Sequence, residues 1–256
     1  MNMVVQFNAS LHRVRLITPL KRTHSGAEVF LGLASDGAQY WVKAPDSPQG
    51  PRTLVAEAIV YGVAHLVGAP VPRNVLIDIP DGLSWAYSSG RLLRGGIGHG
   101  SADVADAVVS DNWGTHSKRD DNRYRQALIY AMWDLCMGVD PQWIHQTSAD
   151  YSMWSFDHGL WLAGESDWDV ASLRRIGTTP WLYDLDPGVL SASALVEAAR
   201  RVDALTPQSI HSVTDAVPLD WGTTSRELAD VGSILHARTA GVAERLRSAA
   251  QQSRYP

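Results

Sequence analysis

VDPQWIHQTSADYSMWSFDHG, residues Val139 to Gly159, carries two aspartates, Asp140 in a loop and Asp157 at the end of an alternating, tryptophan-rich run. A loop carboxylate followed by a strand that ends in Asp-His-Gly is a layout suited to phosphoryl transfer. One carboxylate aligns the attacking hydroxyl and the other holds the metal. DPQWIHQ reads as loop and YSMWSFDHGLWL as a strand or tight hairpin. Alternation puts Tyr151, Met153, Ser155 and Asp157 on one side. An acid ending a half-buried strand needs a cation, because an unpaired buried carboxylate is costly. The plainer alternatives are that Asp157 caps the turn at His158-Gly159 and that Asp140 is a turn former before Pro141.

Upstream of this stretch lysine is scarce. Among 22 basic residues only Lys21, Lys43 and Lys118 are lysine, so a lysine inside a structured element is notable. Residues 4 to 19 and 28 to 43 hold β-branched and aromatic runs separated by turn formers, including the Asp-Gly hairpin signal at Asp36-Gly37. They predict two or three antiparallel strands. The last, AQYWVKA, sets Lys43 in phase with Trp41 and Gln39. After a turn-rich PDSPQGPR, the run TLVAEAIVYGVAHLVG predicts a helix with Leu54, Ala58, Tyr61 or Gly62, and Leu66 near one face, stopping at Gly68 before Pro70 and Pro72. Glu57 in its first turns is either a surface acid favoured by the helix dipole or the partner of Lys43.

VPRNVLIDIP and GLSWAYSS predict two more strands, followed by a hinge-like SSGR. Backbone groups from Tyr87 to Gly90, with Ser88 and Ser89, are the expected contact for a nucleobase. Thr23-His24-Ser25-Gly26 is where a phosphate-covering turn would sit, with Ser25 and Gly26 its candidate contacts. The run GGIGHG, Gly95 to Gly100, lacks the Lys-Ser/Thr of a P-loop and reads as a plain loop. Lobes are expected over 1–93 and 94–256.

Downstream, DDNRYRQALIYAMWDLCMG predicts a helix whose Cys136 is a packed thiol. AGESDWDVASLRR and TTPWLYDLDPG read as loop-rich, SASALVEAARRVDAL as a helix, and Thr224 with Glu227 as a capping box opening a long helix. The tail QQSRYP reads as frayed. Trp113, Trp161 and Trp168 either pack or line an acceptor site, and packing is the better reading.

The chain has 256 residues, 45% hydrophobic, with a formal net charge of −5. That balance gives no bulk electrostatic footprint for nucleic acid or anionic membrane. One cysteine permits no intrachain disulfide. No apolar run reaches the roughly 18 to 20 residues of a membrane span. The expectation is a soluble, cytoplasmic protein with neither nucleic acid nor membrane as partner.

Taken together these residues resemble the HipA-like branch of the protein-kinase-like superfamily, its small standalone members above all. The likeness runs through YWVKAPDSPQGPRTLVAEAIVYGVAHLVGAPVP, DPQWIHQ and SFDHG. It implies an α+β, bilobal kinase-like fold, with a small antiparallel-sheet N-lobe holding one helix and a mainly helical C-lobe. It implies ATP and Mg²⁺ as cofactors, with Mn²⁺ as the other metal to consider, and a hydroxyl-bearing acceptor, protein or small molecule. Lys43 would hold the phosphates, Glu57 would orient Lys43, Asp140 would be the catalytic-loop aspartate and Asp157 the metal ligand. The family's loop reads Asp, Arg-His, two residues, Asn. Here Pro141 and Gln142 replace Arg-His, and His145 stands at the Asn position. Either His145 is a ligand in a site altered toward another metal, or Gln146 supplies the oxygen, or the second metal is lost. A nucleotide-binding pseudokinase is therefore the alternative to a kinase. A metal-dependent hydrolase built on His145, Asp157 and His158 with Asp140 as base is the third reading.

Overall fold

The computed structural model describes residues 11–110, 112–164, 166–181 and 185–255. Residues 4–10 of the first expected strand, and 182–184 of the expected loop before Leu185, lie outside them.

Five strands close into a small barrel: β1 (Arg13–Arg22), β2 (Phe30–Ala34), β3 (Gln39–Lys43), β4 (Asn74–Ile79) and β5 (Gly96–Ala102), in the order β1-β2-β3-β5-β4. Alternation drives it. Val14, Leu16, Phe30, Tyr40, Val42, Val75 and Ile77 point inward and are buried. Pro19 lies within β1, where the pairing with β2 shifts register on both sides of it, so a bulge absorbs its missing N–H.

The barrel corrects three expectations. The sheet is not purely antiparallel, since β1 runs parallel to β4 over Arg13–Arg15. The stretch GLSWAYSS is no strand; it forms a looped excursion with one isolated bridge, Ala86 to Leu92. The glycine run is not a loop but β5, paired antiparallel with β3 and β4. Its glycines are required by close approach. A Cβ on Gly98 would lie 2.9 Å from the Lys43 carbonyl oxygen, and one on Gly100 would lie 2.7 Å from the Ile77 side chain. Because β5 follows Leu93, the barrel takes residues from both sides of the expected lobe boundary at 93, and the chain leaves it at Ala102.

Helix α1 (Arg52–Val67) ends at Gly68 with φ 76°, the left-handed position glycine takes without penalty. It is buried almost all round, Leu54, Ile59, Val63 and Val67 included, because it lies between the barrel and the helical half. Beyond the barrel, β6 (Ala107–Ser110), β7 (Trp143–Gln146) and β8 (Ser152–Ser155) form a second sheet in the order β6-β7-β8. The expected DPQWIHQ loop is thus half strand. Helix α2 (Asn122–Leu135) is central and carries a continuous buried run from Gln126 to Leu135. Beside it lie α4 (Ala192–Asp203) and α6 (Ser225–Gln252), and α3 (Val170–Ile176) and α5 (Pro207–Asp215) pack on α6. Trp113, Trp161 and Trp168 are buried and pack. Cys136 is buried too, its thiol pushed up to about 12 by burial, hence unreactive. The tail folds back rather than fraying: Ala192 N–H donates to the Tyr255 carbonyl and Ser253 Oγ to the Leu190 carbonyl.

The expected capping box is present. Glu227 N–H donates to Thr224 Oγ1 at 3.2 Å, and Thr224 N–H to Glu227 Oε2 at 2.9 Å. Thr224→Ala should therefore cost about 1 kcal/mol, read as a lower urea midpoint at unchanged m-value.

Candidate active site

A cavity of about 590 Å³ lies between the barrel and the second sheet. Strand register defines its roof. Lys21 pairs with Leu31, Leu31 with Trp41 and Trp41 with Ser101, and all four line the cavity as one transverse row. Lys43 pairs with His99 in a second row, deeper in. Gln142, Ile144 and Phe156 form the floor. One end is closed by the connector Asp103–Asp106, which links β5 to β6.

At the inner end sits a buried ion cluster. Lys43 Nζ donates to Glu57 Oε1 at 2.9 Å and to Asp157 Oδ1 at 3.1 Å. Lys43 and Glu57 are buried, whereas the Asp157 side chain keeps 33% of its surface toward the cavity. The second oxygen of Glu57 accepts from the His158 backbone N–H at 3.1 Å. A Cβ on Gly159 would collide with Lys43 Nζ, so the Gly after Asp-His lets the ammonium pass. Asp157 itself has φ 56° and Asp140 φ 55°, left-handed conformations that aspartate tolerates better than most residues.

Burial pulls the Lys43 ammonium toward neutrality, but the carboxylates of Glu57 and Asp157 outweigh it and hold the pKa above the ordinary lysine value. Burial likewise opposes ionisation of Glu57, and the Lys43 ammonium overcomes it, leaving Glu57 well below the carboxylate range. Asp157 moves the other way. Burial and the negative charges of Glu57 and Asp140 raise it against the pull of Lys43. The cluster is thus short of positive charge at Asp157, on the side facing the cavity.

His99 and His158 stay neutral. His99 Nε2 lies 2.7 Å from the Asn74 amide nitrogen, and His158 Nε2 lies 2.9 Å from Ser155 Oγ. Burial lowers each to about 4 from 6.5. Below pH 6.5 the unfolded chain therefore binds protons that the folded protein refuses, so the stability present above 6.5 is lost as pH falls toward 4. Urea midpoints should drop steadily between pH 7 and pH 5, and His158→Gln should flatten that slope; an equally steep slope in the variant would assign it elsewhere.

The expected residues are thus partly assembled. Lys43, Glu57, Asp157 and Ser25 line one cavity. Gly26 adjoins Ser25 in the turn between β1 and β2, which is held by Thr23 Oγ1 donating to the Val29 carbonyl and Val29 N–H donating to Ser25 Oγ. Asp140 is exposed and accepts at 2.9 Å from the Gln142 side chain, which itself lines the cavity.

Four residues do not arrive as expected. Ser88 and Ser89 do not line the cavity. They brace the β1–β2 turn from outside, Ser88 Oγ donating to the Thr23 carbonyl and Ser89 N–H to Glu28 Oε1. The connector that adjoins the cavity is Asp103–Asp106, because the true last barrel strand is β5. His145 is fully buried on β7, facing away from the cavity on the side of Trp143, its ring edge-on to His116 at 5.0 Å. Gln146 pairs with Ser152 and Ala107 and lies outside the lining residues. Among the described residues no group of three or more His, Cys, Asp and Glu side chains converges as a metal site. The hydrolase constellation of His145, His158, Asp157 and Asp140 is therefore not assembled. Sequence reasoning missed Trp41, His99, Asp103, Gln142, Ile144 and Phe156 as lining residues. Trp41 alone carried a signal, its phase with Lys43.

No protein-family model and no curated protein sequence matches the chain. Solved structures do. A Helicobacter pylori proinflammatory kinase, CtkA, matches with a TM-score of 0.58 at 11% identity, over 94% of this chain and 98% of that one. The Golgi casein kinase with Mn/ADP bound matches at 0.47 and 10%, over 94% and 73%. HipA of Shewanella oneidensis MR-1, in complex with HipB and operator DNA, matches at 0.43 and 12%, over 97% and 70%. The first of these shows that the fold is kinase-like, as the sequence led one to expect. No helix among the described residues is long and apolar enough to cross a membrane.

Proposed function

We propose that this chain is an ATP-dependent phosphotransferase of the HipA-like kind, moving the γ-phosphoryl group of metal-bound ATP to a hydroxyl on a protein or small molecule. The observation that carries the reading is the Lys43–Glu57–Asp157 cluster at the inner end of an open cavity. A buried lysine held charged by one carboxylate and presented beside another is a phosphate anchor next to a metal ligand.

Each residue then has a task. Glu57 fixes the Lys43 side chain, and Lys43 donates to the α and β phosphates. The Thr23–Val29 turn, with Ser25 and Gly26, covers the phosphates. Asp157 fits a divalent ion that arrives with the nucleotide: it offers hard oxygens, its neighbours leave it short of positive charge, and its exposed part faces the cavity. Bound there with the phosphates, Mg²⁺ or Mn²⁺ would neutralise charge developing on the phosphoryl oxygens. Asp140 orients the acceptor hydroxyl and accepts its proton as the new O–P bond forms and the bond from the γ-phosphorus to the β–γ bridging oxygen breaks. An in-line step of this kind needs positioning and charge stabilisation more than covalent help.

The test is ADP release from ATP with Mg²⁺ and transfer of γ-phosphate label. Asp140→Asn should lower turnover by about 100-fold or more, the scale of a lost general base, with nucleotide affinity within about threefold on the same scale of effects. Unchanged turnover in Asp140→Asn would remove Asp140 from the chemistry.

Two observations favour a second reading, a nucleotide-binding pseudokinase. The Gln142 amide occupies one oxygen of Asp140, and His145, at the family's Asn position, faces away from the cavity. That reading expects nucleotide binding with no release of ADP.

A further inference from the structure

Glu28 holds a left-handed backbone, φ 52°, a conformation that is costly for a residue with a long side chain. It closes the β1–β2 turn, its N–H donating to the Ser25 carbonyl at 3.0 Å, and its side chain is buried outside the cavity lining. Two groups of the excursion between β4 and β5 hold the carboxylate there. Ser89 N–H donates to Oε1 at 3.3 Å, and Arg91 reaches Oε2 through Nη2 at 2.7 Å and Nε at 3.2 Å. Arg91 does not stop at the turn. Its Nη1 donates to the Asp46 backbone carbonyl at 2.6 Å and to the Asp46 carboxylate, and its guanidinium lies 4.5 Å from the centre of the Tyr87 ring. Asp46 belongs to the loop that leaves β3, three residues after Lys43. Ser47 in the same loop ties back to the turn, its Oγ donating to the Ala27 carbonyl at 2.9 Å. One planar cation thus fixes the turn carrying Ser25 relative to the strand end carrying Lys43, a task that suits the rigid guanidinium fork and not an ammonium. Neither Arg91, Glu28 nor Asp46 lines the cavity, so the cation acts on it only through the segments it joins.

We propose that Arg91 is a positioning residue for phosphate binding: through Glu28 and Asp46 it holds the β1–β2 turn in a fixed position relative to Lys43, so that a triphosphate meets a pre-formed cover. The proposal rests on the nucleotide reading above and deepens it. Holding a binding loop in its bound geometry raises affinity by removing the ordering cost from the binding step. The left-handed φ of Glu28 fits this role, since the backbone there is set by the clamp and not by local preference. Two simpler roles carry other signs. Were Arg91 only a source of positive potential, Arg91→Lys would bind phosphates as wild type does, and Glu28→Gln, which deletes a negative charge, would bind them more tightly. Were the network only a support for the fold, variants held well below their unfolding midpoints would bind unchanged.

The experiment is calorimetry in Mg²⁺, at a temperature where urea melts show each protein folded, with a non-hydrolysable ATP analogue and with inorganic tripolyphosphate. Wild type, Arg91→Ala, Arg91→Lys, Glu28→Gln and the double variant Arg91→Ala/Glu28→Gln are compared. Arg91→Ala should weaken both probes by about tenfold, the scale of one charge-assisted hydrogen bond. The loss should be equal on the two, because the turn covers phosphates that both possess. Arg91→Lys should fall between wild type and Arg91→Ala, and Glu28→Gln should weaken both probes in spite of the deleted negative charge. The double variant should lose little more than Arg91→Ala alone, since the two residues act as one unit. Unchanged affinity in Arg91→Ala would overturn the proposal. So would tighter binding to Glu28→Gln, full affinity in Arg91→Lys, or a loss confined to the ATP analogue. If Arg91→Ala does not fold, Arg91→Lys and Glu28→Gln carry the same test. Wild type that binds the ATP analogue but not tripolyphosphate would sink the phosphate cover and leave the nucleotide reading standing. If neither probe binds wild type, the phosphotransferase reading fails and the clamp fails with it.

Discussion

Lys43→Met should abolish detectable binding of metal–nucleotide and, in the empty protein, cost about 3–5 kcal/mol of stability, the scale of breaking a buried ion pair by removing one partner. Both effects follow from one geometry. The ammonium is buried, touches Glu57 at 2.9 Å and Asp157 at 3.1 Å, and no other lysine or arginine pairs with either carboxylate among the described residues. Without it, Glu57 stays buried within α1 with only backbone and neutral histidine groups around it. Burial then pushes its carboxyl up until it takes a proton. That uptake gives the prediction a sign in pH. Wild-type Glu57 sits well below the carboxylate range and the variant's would sit above it, so the stability gap should narrow as pH is lowered from 8 to 5. Urea unfolding of both proteins across that range, with calorimetric titration of nucleotide, checks both parts. A variant as stable as wild type that still bound metal–nucleotide would show that the cluster anchors nothing.

Asp134→Ala should be as damaging to stability, again about 3–5 kcal/mol, at a place outside the cavity lining. Asp134 is buried in α2 and accepts from the fully buried Arg238 at 3.1 Å, from Arg245 at 2.7 Å and from the Trp181 backbone N–H at 3.0 Å. Arg238 also donates to the Asp134 and Gly177 carbonyls, so its guanidinium is the staple between α2, α6 and the end of α3. Removing the carboxylate leaves that charge in the core with carbonyls alone for partners. Trp181 gives a second consequence, since its indole N–H donates to the Gly138 carbonyl at 2.7 Å, two residues before Asp140. Asp134→Ala should therefore also lower turnover in protein that remains folded at low temperature. Denaturant melts of Asp134→Ala and Asp134→Asn test the first effect, and ADP release measured well below their midpoints tests the second.

The parts of the fold that were legible in the sequence are those fixed by local rules. Gly68 ends α1, Thr224 and Glu227 open α6, and the α2 pattern runs to Leu135 because caps and helical periodicity act over a few residues. Lys43 and Glu57 were legible as a pair because a rare lysine on a strand preceded a helix acid. Their contact with Asp157 needed the fold. The misreadings all have a long-range cause. Gly96 to Gly100 looked like a loop, since nothing local reveals that Ile77 and the Lys43 backbone press on those positions and demand glycine. With β5 lost, the hinge slid back to Ser88 and Ser89, residues that instead brace the β1–β2 turn. His145 followed from matching loop positions along the chain. Residues 143 to 146 form a strand, though, and alternation turns His145 toward His116 while Ile144 takes the cavity side. The parallel pairing of β1 with β4 has no sequence signal at all.

The central claim is that this cavity binds nucleotide together with a metal held by Asp157. Calorimetric titration of a non-hydrolysable ATP analogue, in Mg²⁺, in Mn²⁺ and in chelator, on wild type and Asp157→Asn, tests it most directly. The account expects binding that depends on metal in wild type and loses that dependence in Asp157→Asn. Equal affinity with and without metal in wild type would contradict the claim, as would metal dependence that Asp157→Asn leaves intact.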